Sequence, residues 1–394
     1  MVLLFAVEYI TFHEPRLGTA YLYHFPTGGI FELTEEEYAR MPDPELLDQI
    51  RHYSGPRFSL SHFLSHLAAI GAEIDGLSFP AHVEIEITLR CNLRCIHCYA
   101  GSSERAPEGA STDQWIRLIR SLDHTVLLGV TGGEPLLRED IFEILSAAKD
   151  RGLVVKLLTN GILLPSRLDD LLDVLEPGID IIHISLDGDK RAHEAIRGPN
   201  TFGPALKAVK MASEHFPVEV AFTLLPQNMD AVEKAYVIAA DAGASLFQLG
   251  LVQPIGRGAR YTLPFSALRD ALDRLRPLVE KYGVPVSSEF MEDGVRQPPA
   301  SFYSCPAGIS YAFVAHNGDV YPCQAFRPHF RMGNAFEVPL YTLWKRFDAK
   351  QLRRNVLGTK CASCPLFSSC RAGCPGVTYR FKKTLNSPDP LCDL

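Results

Sequence analysis

The sequence predicts an α/β fold built on a parallel sheet, because apolar runs of strand length alternate with segments of helical pattern. Six such runs, rich in β-branched or other apolar residues, follow one another from residue 83 onward. They occupy residues 83–88, 126–130, 154–158, 181–184, 218–224 and 246–251. Because a helix between successive strands implies a right-handed crossover, six strand-helix units fit an incomplete barrel or a doubly wound sheet.

Helix start signals support this alternation. Ser111 and Thr201 stand as N-caps before helical patterns at 112–122 and 204–213, and a further helix is predicted at 140–149. The connections between the strands are therefore predicted to be helical.

Polar or glycine-bearing segments follow the first four strands. They are residues 91–98, 131–135, 159–161 and 185–188. The carboxyl ends of parallel strands meet on one rim, where barrel folds place their active sites, so we expect one pocket there. Taken singly, the Gly-Gly, Asn-Gly and Asp-Gly pairs are also ordinary turn sequences.

The first of these segments carries three cysteines, Cys91, Cys95 and Cys98, spaced so that one loop can offer three thiolates to a cubane iron-sulfur cluster. A fourth iron would stay open for a substrate or cofactor, whereas a closed structural site normally takes four protein ligands. The alternative is a zinc knuckle completed by His97 or a remote ligand.

Composition excludes several classes of partner. The 394 residues are 46% hydrophobic and 22% charged, with a net charge of -7 and no basic run, so neither a nucleic acid nor an anionic membrane is indicated. The N-terminus lacks the basic flank of a signal peptide, and no apolar run is long enough to span a bilayer.

All ten cysteines lie in 91–98 or beyond 304, which favours metal ligation in a cytoplasmic protein over disulfides.

The cysteine triplet, followed by Gly-Gly-Glu-Pro at 132–135, resembles the radical S-adenosylmethionine (SAM) enzymes over residues 79–290. The resemblance implies a partial (β/α)6 TIM-like barrel in which Cys91, Cys95 and Cys98 hold a 4Fe-4S cluster. It also implies that the open iron binds SAM through its amino and carboxylate groups, which are hard ligands. Reductive cleavage of SAM in this family gives a 5′-deoxyadenosyl radical that abstracts hydrogen.

The resemblance further implies six SAM-binding residues: Gly132, Gly133, Glu134, Thr159, Ser185 and Asp187. The first three are expected to meet the methionine amino group through backbone carbonyl and carboxylate, while Thr159 and Ser185 match positions at the ribose or methionine end. Asp187 matches less well, because Asp-Gly after a strand is also a plain turn. His97 is expected to pack near the adenine. The glycine-rich segment 254–258 either contacts SAM or substrate, or is a turn with Arg257 on the surface.

Seven cysteines remain in the C-terminal part: Cys305, Cys323, Cys361, Cys364, Cys370, Cys374 and Cys392. Between the first two, Asn317-Gly318 separates apolar runs in a pattern typical of a type I′ hairpin, which would return the second cysteine toward the first. Paired cysteines are also common at zinc sites, but seven thiols do not divide into two sites of four.

This cysteine pattern resembles the SPASM extension of radical SAM maturases, which binds two auxiliary 4Fe-4S clusters. The resemblance implies that one is fully ligated, by Cys361, Cys364, Cys370 and Cys392. The other would be held by Cys305, Cys323 and Cys374, with a fourth position that is open or filled from outside the motif. Three clusters are therefore expected in the chain.

Residues 1–78 form a separate unit by pattern, before a core at 79–300 and a cysteine-rich extension at 301–394. A hairpin is predicted around residues 26–29, then a helix at 44–52 and a helical stripe at 60–70 that Gly71 ends. This order resembles the winged-helix element with which many peptide-modifying maturases bind a leader peptide by strand addition. The stripe is also compatible with ordinary core packing.

The resemblance implies a maturase that acts on a ribosomally made precursor peptide and gives a thioether or carbon-carbon crosslink or another oxidised product. A cytoplasmic electron donor such as flavodoxin or ferredoxin would supply the electron. The alternatives are a sulfatase-type maturase, a maturase of peptide-derived cofactors, a tetrapyrrole-modifying enzyme, and a non-catalytic iron-sulfur or zinc scaffold. Sulfatase-type relatives have an aspartate where Gln324 stands, and an extra cysteine that this chain lacks.

Overall fold

The computed structural model describes residues 8–57, 59–288 and 301–393 of the chain. The N-terminal part is a three-stranded antiparallel sheet, β1 (Tyr9–Glu14), β2 (Thr19–His24) and β3 (Gly29–Thr34), followed by α1 (Glu35–Ala39), α2 (Pro44–Arg51) and α3 (Leu60–Glu73). The sequence pattern predicted the hairpin and the two longer helices but missed β1. Its signal is present, since buried Ile10 and Phe12 alternate with less buried neighbours.

The prediction that the third helix stops at Gly71 is wrong, since α3 continues to Glu73. A Cβ at Gly71 would lie 2.9 Å from Cγ2 of Ile309 and 3.0 Å from Leu77. Gly71 therefore permits close packing of α3 against the C-terminal part of the chain instead of ending the helix.

The central part alternates strands and helices as the sequence predicts. The elements are β4 (His82–Glu86), α4 (Thr112–Arg120), β5 (Leu127–Thr131), α5 (Ile141–Asp150), β6 (Val154–Thr159), α6 (Leu164–Val174), β7 (Ile181–Ser185), α7 (Lys190–Arg197), α8 (Phe202–Ser213), β8 (Val218–Leu224), α9 (Val232–Asp241), β9 (Leu246–Leu251), α10 (Phe265–Tyr282) and β10 (Val286–Ser288). All six predicted strands form, with bounds within two residues of the prediction.

Strands β4 to β10 are parallel neighbours in sequence order, which confirms an α/β fold with a mostly parallel central sheet. β11 (Tyr311–Val314) extends the sheet beside β4 and is parallel to it, and the antiparallel strands β12 (Asp319–Tyr321) and β13 (Gly333–Asn334) follow. The described sheet thus has ten strands, and the C-terminal part adds three of them directly beside the first strand of the core.

The hairpin between β11 and β12 forms, but its turn is not type I′. Gly318 N donates to Ala315 O at 2.8 Å, so His316 and Asn317 are the central residues, and of these positions only Gly318 has a positive φ, of 88°. This is the three-residue connection with glycine in the left-handed region. Three helices complete the C-terminal part, α11 (Leu340–Arg346), α12 (Phe367–Cys370) and α13 (Pro375–Lys382).

The N-terminal unit packs against the amino ends of the core strands. Phe12, Phe63 and Leu67 share an apolar cluster with Leu127 and Val154, which begin β5 and β6. The loops at the carboxyl ends of these strands therefore lie at the opposite end of the sheet. Among the residues described, no helix is both long and apolar enough to cross a membrane.

Candidate functional site

The loop between β4 and α4 carries the cysteine triplet. Cys91 and Cys95 are buried and Cys98 is partly buried. The Leu93 N–H donates to Cys91 Sγ at 3.4 Å. Burial raises the pKa of Cys91 to about 12, and Glu134, Cys95 and Cys98 lie near enough to contribute. A thiolate here therefore needs a compensating cation, and ligated iron provides one, so the donor set fits an iron-sulfur cluster.

Arg257 fastens this loop to the segment after β9. Its Nε donates to Cys95 O at 2.8 Å and its Nη2 donates to Ser102 O at 2.9 Å. A Cβ at Gly256 would lie 2.3 Å from Tyr99 O, so glycine is required where the two segments meet. Segment 254–258 therefore packs against the cysteine loop and holds it in place, and Arg257 points into this contact instead of lying on the surface.

The Gly-Gly-Glu segment after β5 lies directly against the residues that lead into the cysteine loop. Gly133 N donates to Thr88 O at 2.7 Å, and Glu134 N donates to Arg90 O at 2.8 Å. An added Cβ would lie 2.4 Å from Thr88 O at Gly132 and 2.1 Å from Arg90 O at Gly133. Both glycines are needed for this close backbone contact, which forms a shelf beside the thiols.

Glu134 joins the ends of β5 and β6. Its Oε1 accepts from Thr159 Oγ1 at 2.8 Å and Leu136 N at 3.1 Å, and its Oε2 accepts from Asn160 N at 2.8 Å. The side chain is fully buried, and burial raises its pKa to about 7 despite these hydrogen bonds. The carboxylate and Thr159 therefore hold each other in place, while their contact with SAM stays a prediction.

Asn160 reaches the thiols, although the sequence analysis did not assign it. Its Nδ2 donates to Asn92 Oδ1 at 2.8 Å and lies 3.9 Å from Cys91 Sγ. An amide donor next to a ligand sulfur is a common way to orient the ligand and tune the metal.

Asp187 is fully buried and holds Arg197. Its Oδ2 accepts from Arg197 Nε at 2.6 Å and its Oδ1 accepts from Thr223 N at 2.8 Å. Although burial opposes ionisation, Arg197 holds the pKa of Asp187 below its usual value. Arg197 Nη1 also lies 3.9 Å from Cys95 Sγ, so Asp187 is linked to the cysteine loop and is more than a turn residue. Ser185, two residues earlier, is partly exposed at the end of β7.

One face of the central sheet, here called the inner face, carries polar and ionisable side chains that the sequence analysis missed. They come from five strands: His82, Glu84, Glu86, Lys156, His183, Glu219 and Tyr311. Their signal was a charged or polar residue at every second position of a strand such as β4, where parallel strands are usually apolar on both faces. Gly129 leaves room opposite Glu84, since a Cβ there would lie 3.1 Å from Glu84 Cγ.

These inner-face charges are mostly paired. Glu219 accepts from Lys156 at 2.5 Å and contacts His183 Nδ1 at 3.1 Å. Glu86 accepts from both terminal nitrogens of Arg327, at 2.9 and 3.0 Å. Glu84 is different, because burial raises its pKa to about 7 while Lys156 only partly opposes this.

The C-terminal thiols form two groups in space. One cavity is lined by four of them, Cys361, Cys364, Cys370 and Cys392, together with apolar neighbours such as Phe265 and Phe367. Burial raises the pKa of Cys370 to about 12, and the other three thiols of the cavity add to the shift.

The second group contains Cys305, Cys323 and Cys374. Burial raises the pKa of Cys323 to about 12 and that of Cys374 well above its usual value, and Cys305 contributes to both. In the described part of the chain, no three His, Cys, Asp or Glu side chains are placed as ligands of one metal ion. A 4Fe-4S cluster takes its cysteines on different irons.

Comparisons with known proteins agree with this arrangement. The family model "Radical SAM superfamily" matches residues 85–237, and the SPASM model, "Iron-sulfur cluster-binding domain", matches residues 305–365. The mycofactocin maturase MftC of Mycolicibacterium smegmatis is 29% identical over 340 residues, covering 80% of this chain and 83% of MftC.

Two further proteins extend the likeness. The antilisterial bacteriocin subtilosin biosynthesis protein AlbA of Bacillus subtilis is 31% identical over 324 residues, covering 78% of this chain and 68% of AlbA. The crystal structure of Streptococcus suis SuiB has a TM-score of 0.72 at 17% identity and covers 99% of both chains, which shows a shared fold. The chain therefore belongs to the radical SAM superfamily of enzymes, in the group that carries a SPASM iron-sulfur cluster-binding domain.

Proposed function

We propose that this enzyme modifies a ribosomally made precursor peptide, abstracting hydrogen from a carbon of the peptide and giving a crosslinked or otherwise oxidised product. One observation carries the proposal: the ten thiols lie in three separate groups, and the first lies beside the shelf formed by Gly132 and Gly133. When bound and reductively cleaved, SAM would supply the radical for this chemistry. The relatives MftC and AlbA are named for peptide product pathways, which supports a peptide substrate.

At the first group, Cys91, Cys95 and Cys98 would ligate three irons of a 4Fe-4S cluster and leave the fourth for SAM. Asn160 and Arg197 would place N–H groups near two of the ligand sulfurs. Such contacts orient the ligands and set the reduction potential.

SAM would lie along the shelf, with its amino group near Gly132, Gly133 and Glu134. Three donors fix the buried Glu134, and an ammonium group beside it would favour the ionised form of this carboxyl, whose pKa burial raises to about 7. Thr159 and Ser185 end neighbouring strands and would flank the ribose or methionine end. Asp187 would act by holding Arg197 in position.

We propose two auxiliary 4Fe-4S clusters and therefore three in total. Cys361, Cys364, Cys370 and Cys392 would fully ligate one of them inside their shared cavity. Cys305, Cys323 and Cys374 would ligate the other and leave one iron for a ligand from outside the motif. A second and a third cluster suit an oxidised product, because forming one leaves an electron to be removed.

We also propose that residues 1–78 are a winged-helix-like unit that recognises the leader of the precursor peptide. Both faces of the β1–β3 sheet are covered by apolar packing, and in the described residues neither β1 nor β3 has a further strand partner. A peptide could therefore add as a strand at one of these edges. A solved structure of the fold neighbour SuiB is bound to its precursor peptide SuiA.

The proposal is tested by anaerobic reconstitution followed by reduction with dithionite in the presence of SAM. We expect 5′-deoxyadenosine to form, and we expect a precursor peptide co-expressed with the enzyme to lose two hydrogens in mass spectrometry. An unchanged peptide mass in ordinary water, together with uptake of deuterium in heavy water, would show that the product is an epimer and not an oxidised peptide. Intact clusters without any 5′-deoxyadenosine would refute the proposal. A flavodoxin or ferredoxin is the class of protein we expect to replace dithionite.

A further inference from the structure

Arg354 is a buried cation that contacts the chain segments next to the C-terminal thiols. Its side chain is 1% exposed, and every N–H of its guanidinium has an acceptor. The acceptors are all neutral oxygens: Leu385 O at 2.9 Å, Ser304 Oγ at 2.8 Å, Gly373 O at 2.9 Å, Thr378 Oγ1 at 3.5 Å and Ser387 O at 2.6 Å. Hydrogen bonding is satisfied here, but none of these acceptors neutralises the charge.

Within the described residues, no carboxylate forms an ion pair with this guanidinium. Asp389 is the nearby acid, but its oxygens accept from Cys374 N at 2.9 Å and Leu391 N at 2.8 Å. A buried charge without a partner is strongly destabilising, so a counter-charge is expected close by.

Asp389 and thiols of both groups lie near enough to act on this charge. Burial lowers the pKa of Arg354, and the groups that oppose this are first Asp389 and then Cys374, Cys305 and Cys361 in their thiolate forms. The first two of these thiols belong to the three-cysteine group, and Cys361 belongs to the four-cysteine cavity. Arg354 also pairs through its backbone with Phe302, which shares an apolar cluster with Cys361, so this cation lies next to both groups.

The hydrogen bonds of Arg354 also fix the positions of the ligands. Ser304 and Gly373 directly precede Cys305 and Cys374 in the chain. The backbone of Arg354 pairs with Phe302, at 2.8 and 3.1 Å, which draws in the same segment. A planar guanidinium with five donors can bind this many acceptors at once, which a lysine cannot do.

We propose that Arg354 is the shared counter-ion of the two auxiliary clusters and that its positive charge raises the reduction potential of both. This inference rests on the proposed function, which assigns a cluster to each group. A cluster held by thiolates gains negative charge on reduction, and a fixed cation nearby in a low dielectric stabilises the reduced form. Arg354 is thus a positioning residue for the clusters and touches no substrate.

The test is a redox titration of the anaerobically reconstituted enzyme, followed by electron paramagnetic resonance. Adding SAM identifies the signal of the N-terminal cluster, which serves as the internal reference. Arg354→Gln removes the charge, and Arg354→Lys keeps the charge but loses most of the donors. Arg353→Gln is the matched control, because this adjacent arginine is more exposed and pairs with Asp75.

In Arg354→Gln we expect the ratio of reduced to oxidised auxiliary clusters at a fixed potential to fall about tenfold, which is about 59 mV for a one-electron couple. Arg354→Lys should keep most of the wild-type potential, and Arg353→Gln should keep all of it. Unchanged auxiliary potentials in Arg354→Gln, or equal shifts in the glutamine and lysine variants, would overturn the inference.

If Arg354→Gln does not assemble its clusters, Arg354→Lys decides, because it keeps the charge and loses most of the donors. Auxiliary potentials close to wild type in the lysine variant would support the inference, and a fall of about tenfold in the ratio of reduced to oxidised clusters would overturn it. A result that refutes the proposed function can be told apart from one that refutes only the role of Arg354. Wild-type enzyme with iron and sulfide for a single cluster would refute the auxiliary clusters themselves, and the inference with them.

Discussion

Asp187 Oδ2 accepts a hydrogen bond from Arg197 Nε at 2.6 Å, and the same guanidinium lies 3.9 Å from Cys95 Sγ. A carboxylate that follows β7 by two residues is thereby connected, through an arginine at the end of α7, to a thiol in the loop after the first core strand. Both side chains are largely buried, so solvent screens this pair little. The pair is therefore an electrostatic support of the cysteine loop.

We expect Asp187→Asn to reduce SAM cleavage about 10- to 100-fold, the usual effect of removing a partner that orients a metal ligand. The physical reason is that Arg197 loses the charge that fixes it beside Cys95. The measurement is 5′-deoxyadenosine formation per cluster, with iron content determined on the same sample. Asp189→Asn is the matched control, since Asp189 caps α7 from a more exposed position and asparagine is an equally good cap. Equal rates in the two variants would contradict the role of Asp187.

We expect Gly133→Ala to weaken SAM binding more than tenfold and to destabilise the protein by about 1–3 kcal/mol, because the new Cβ would overlap Arg90 O. The shelf would have to move away from the cysteine loop. SAM titration and thermal unfolding measure the two effects. Gly203→Ala is the control, because that helical glycine has no neighbour within 4 Å of an added Cβ and should gain about 0.5–1 kcal/mol. SAM affinity that is unchanged in Gly133→Ala would argue against the shelf.

Much of this site can be predicted from sequence because its signals are local. The cysteine spacings and the glycines after β5 each lie within a few residues, and the strands show either apolar runs or regular alternation of apolar and polar residues. The supporting side chains are not local: Arg257 is 162 residues from Cys95, and Arg197 is 102 residues from it. No spacing rule identifies such partners, because the fold alone brings them together.

The inner-face charges are an intermediate case. Their alternation in β4, at His82, Glu84 and Glu86, is visible in the sequence, but it resembles a strand with one solvated face. Only the structure shows that this face is covered, with Glu86 buried and His82 and Glu84 partly buried.

The contributions of Glu84 and Glu86 to the stability of the folded protein should depend on pH in opposite directions. Burial raises the pKa of Glu84 from 4.5 to about 7, so the folded state keeps a proton that the unfolded chain releases, and stability falls as the pH rises through this window. Burial opposes ionisation of Glu86 as well, but His316 and Arg327 hold its pKa below 4.5. Its contribution is therefore present above pH 4.5 and is lost as the pH falls through its folded pKa.

Thermal unfolding of the anaerobic enzyme between pH 5 and 8 checks the pH dependence that Glu84 causes, and the sign of the shift at pH 8 checks the charge of Glu86. Glu84→Gln should raise the melting temperature more at pH 8 than at pH 5. Glu86→Gln should destabilise by about 3–5 kcal/mol at pH 8, because it leaves Arg327 without its buried partner. If both variants shifted the melting temperature in the same direction at pH 8, the assigned charge states would be wrong.

The first thiol group and the four-cysteine cavity should fail in different ways. Cys91→Ala is expected to abolish formation of both 5′-deoxyadenosine and modified peptide, because we propose its thiol as a ligand of the cluster that binds SAM. Cys361→Ala should lower the iron content by about four per chain and stop peptide modification, yet still form 5′-deoxyadenosine, since its cavity is lined by other cysteines. Iron analysis, nucleoside chromatography and peptide mass spectrometry separate these outcomes. If Cys91→Ala gave modified peptide at wild-type yield, the cysteine triplet would not take part in the reaction. If Cys361→Ala lost 5′-deoxyadenosine formation while its first cluster was intact, the two sites would not be independent.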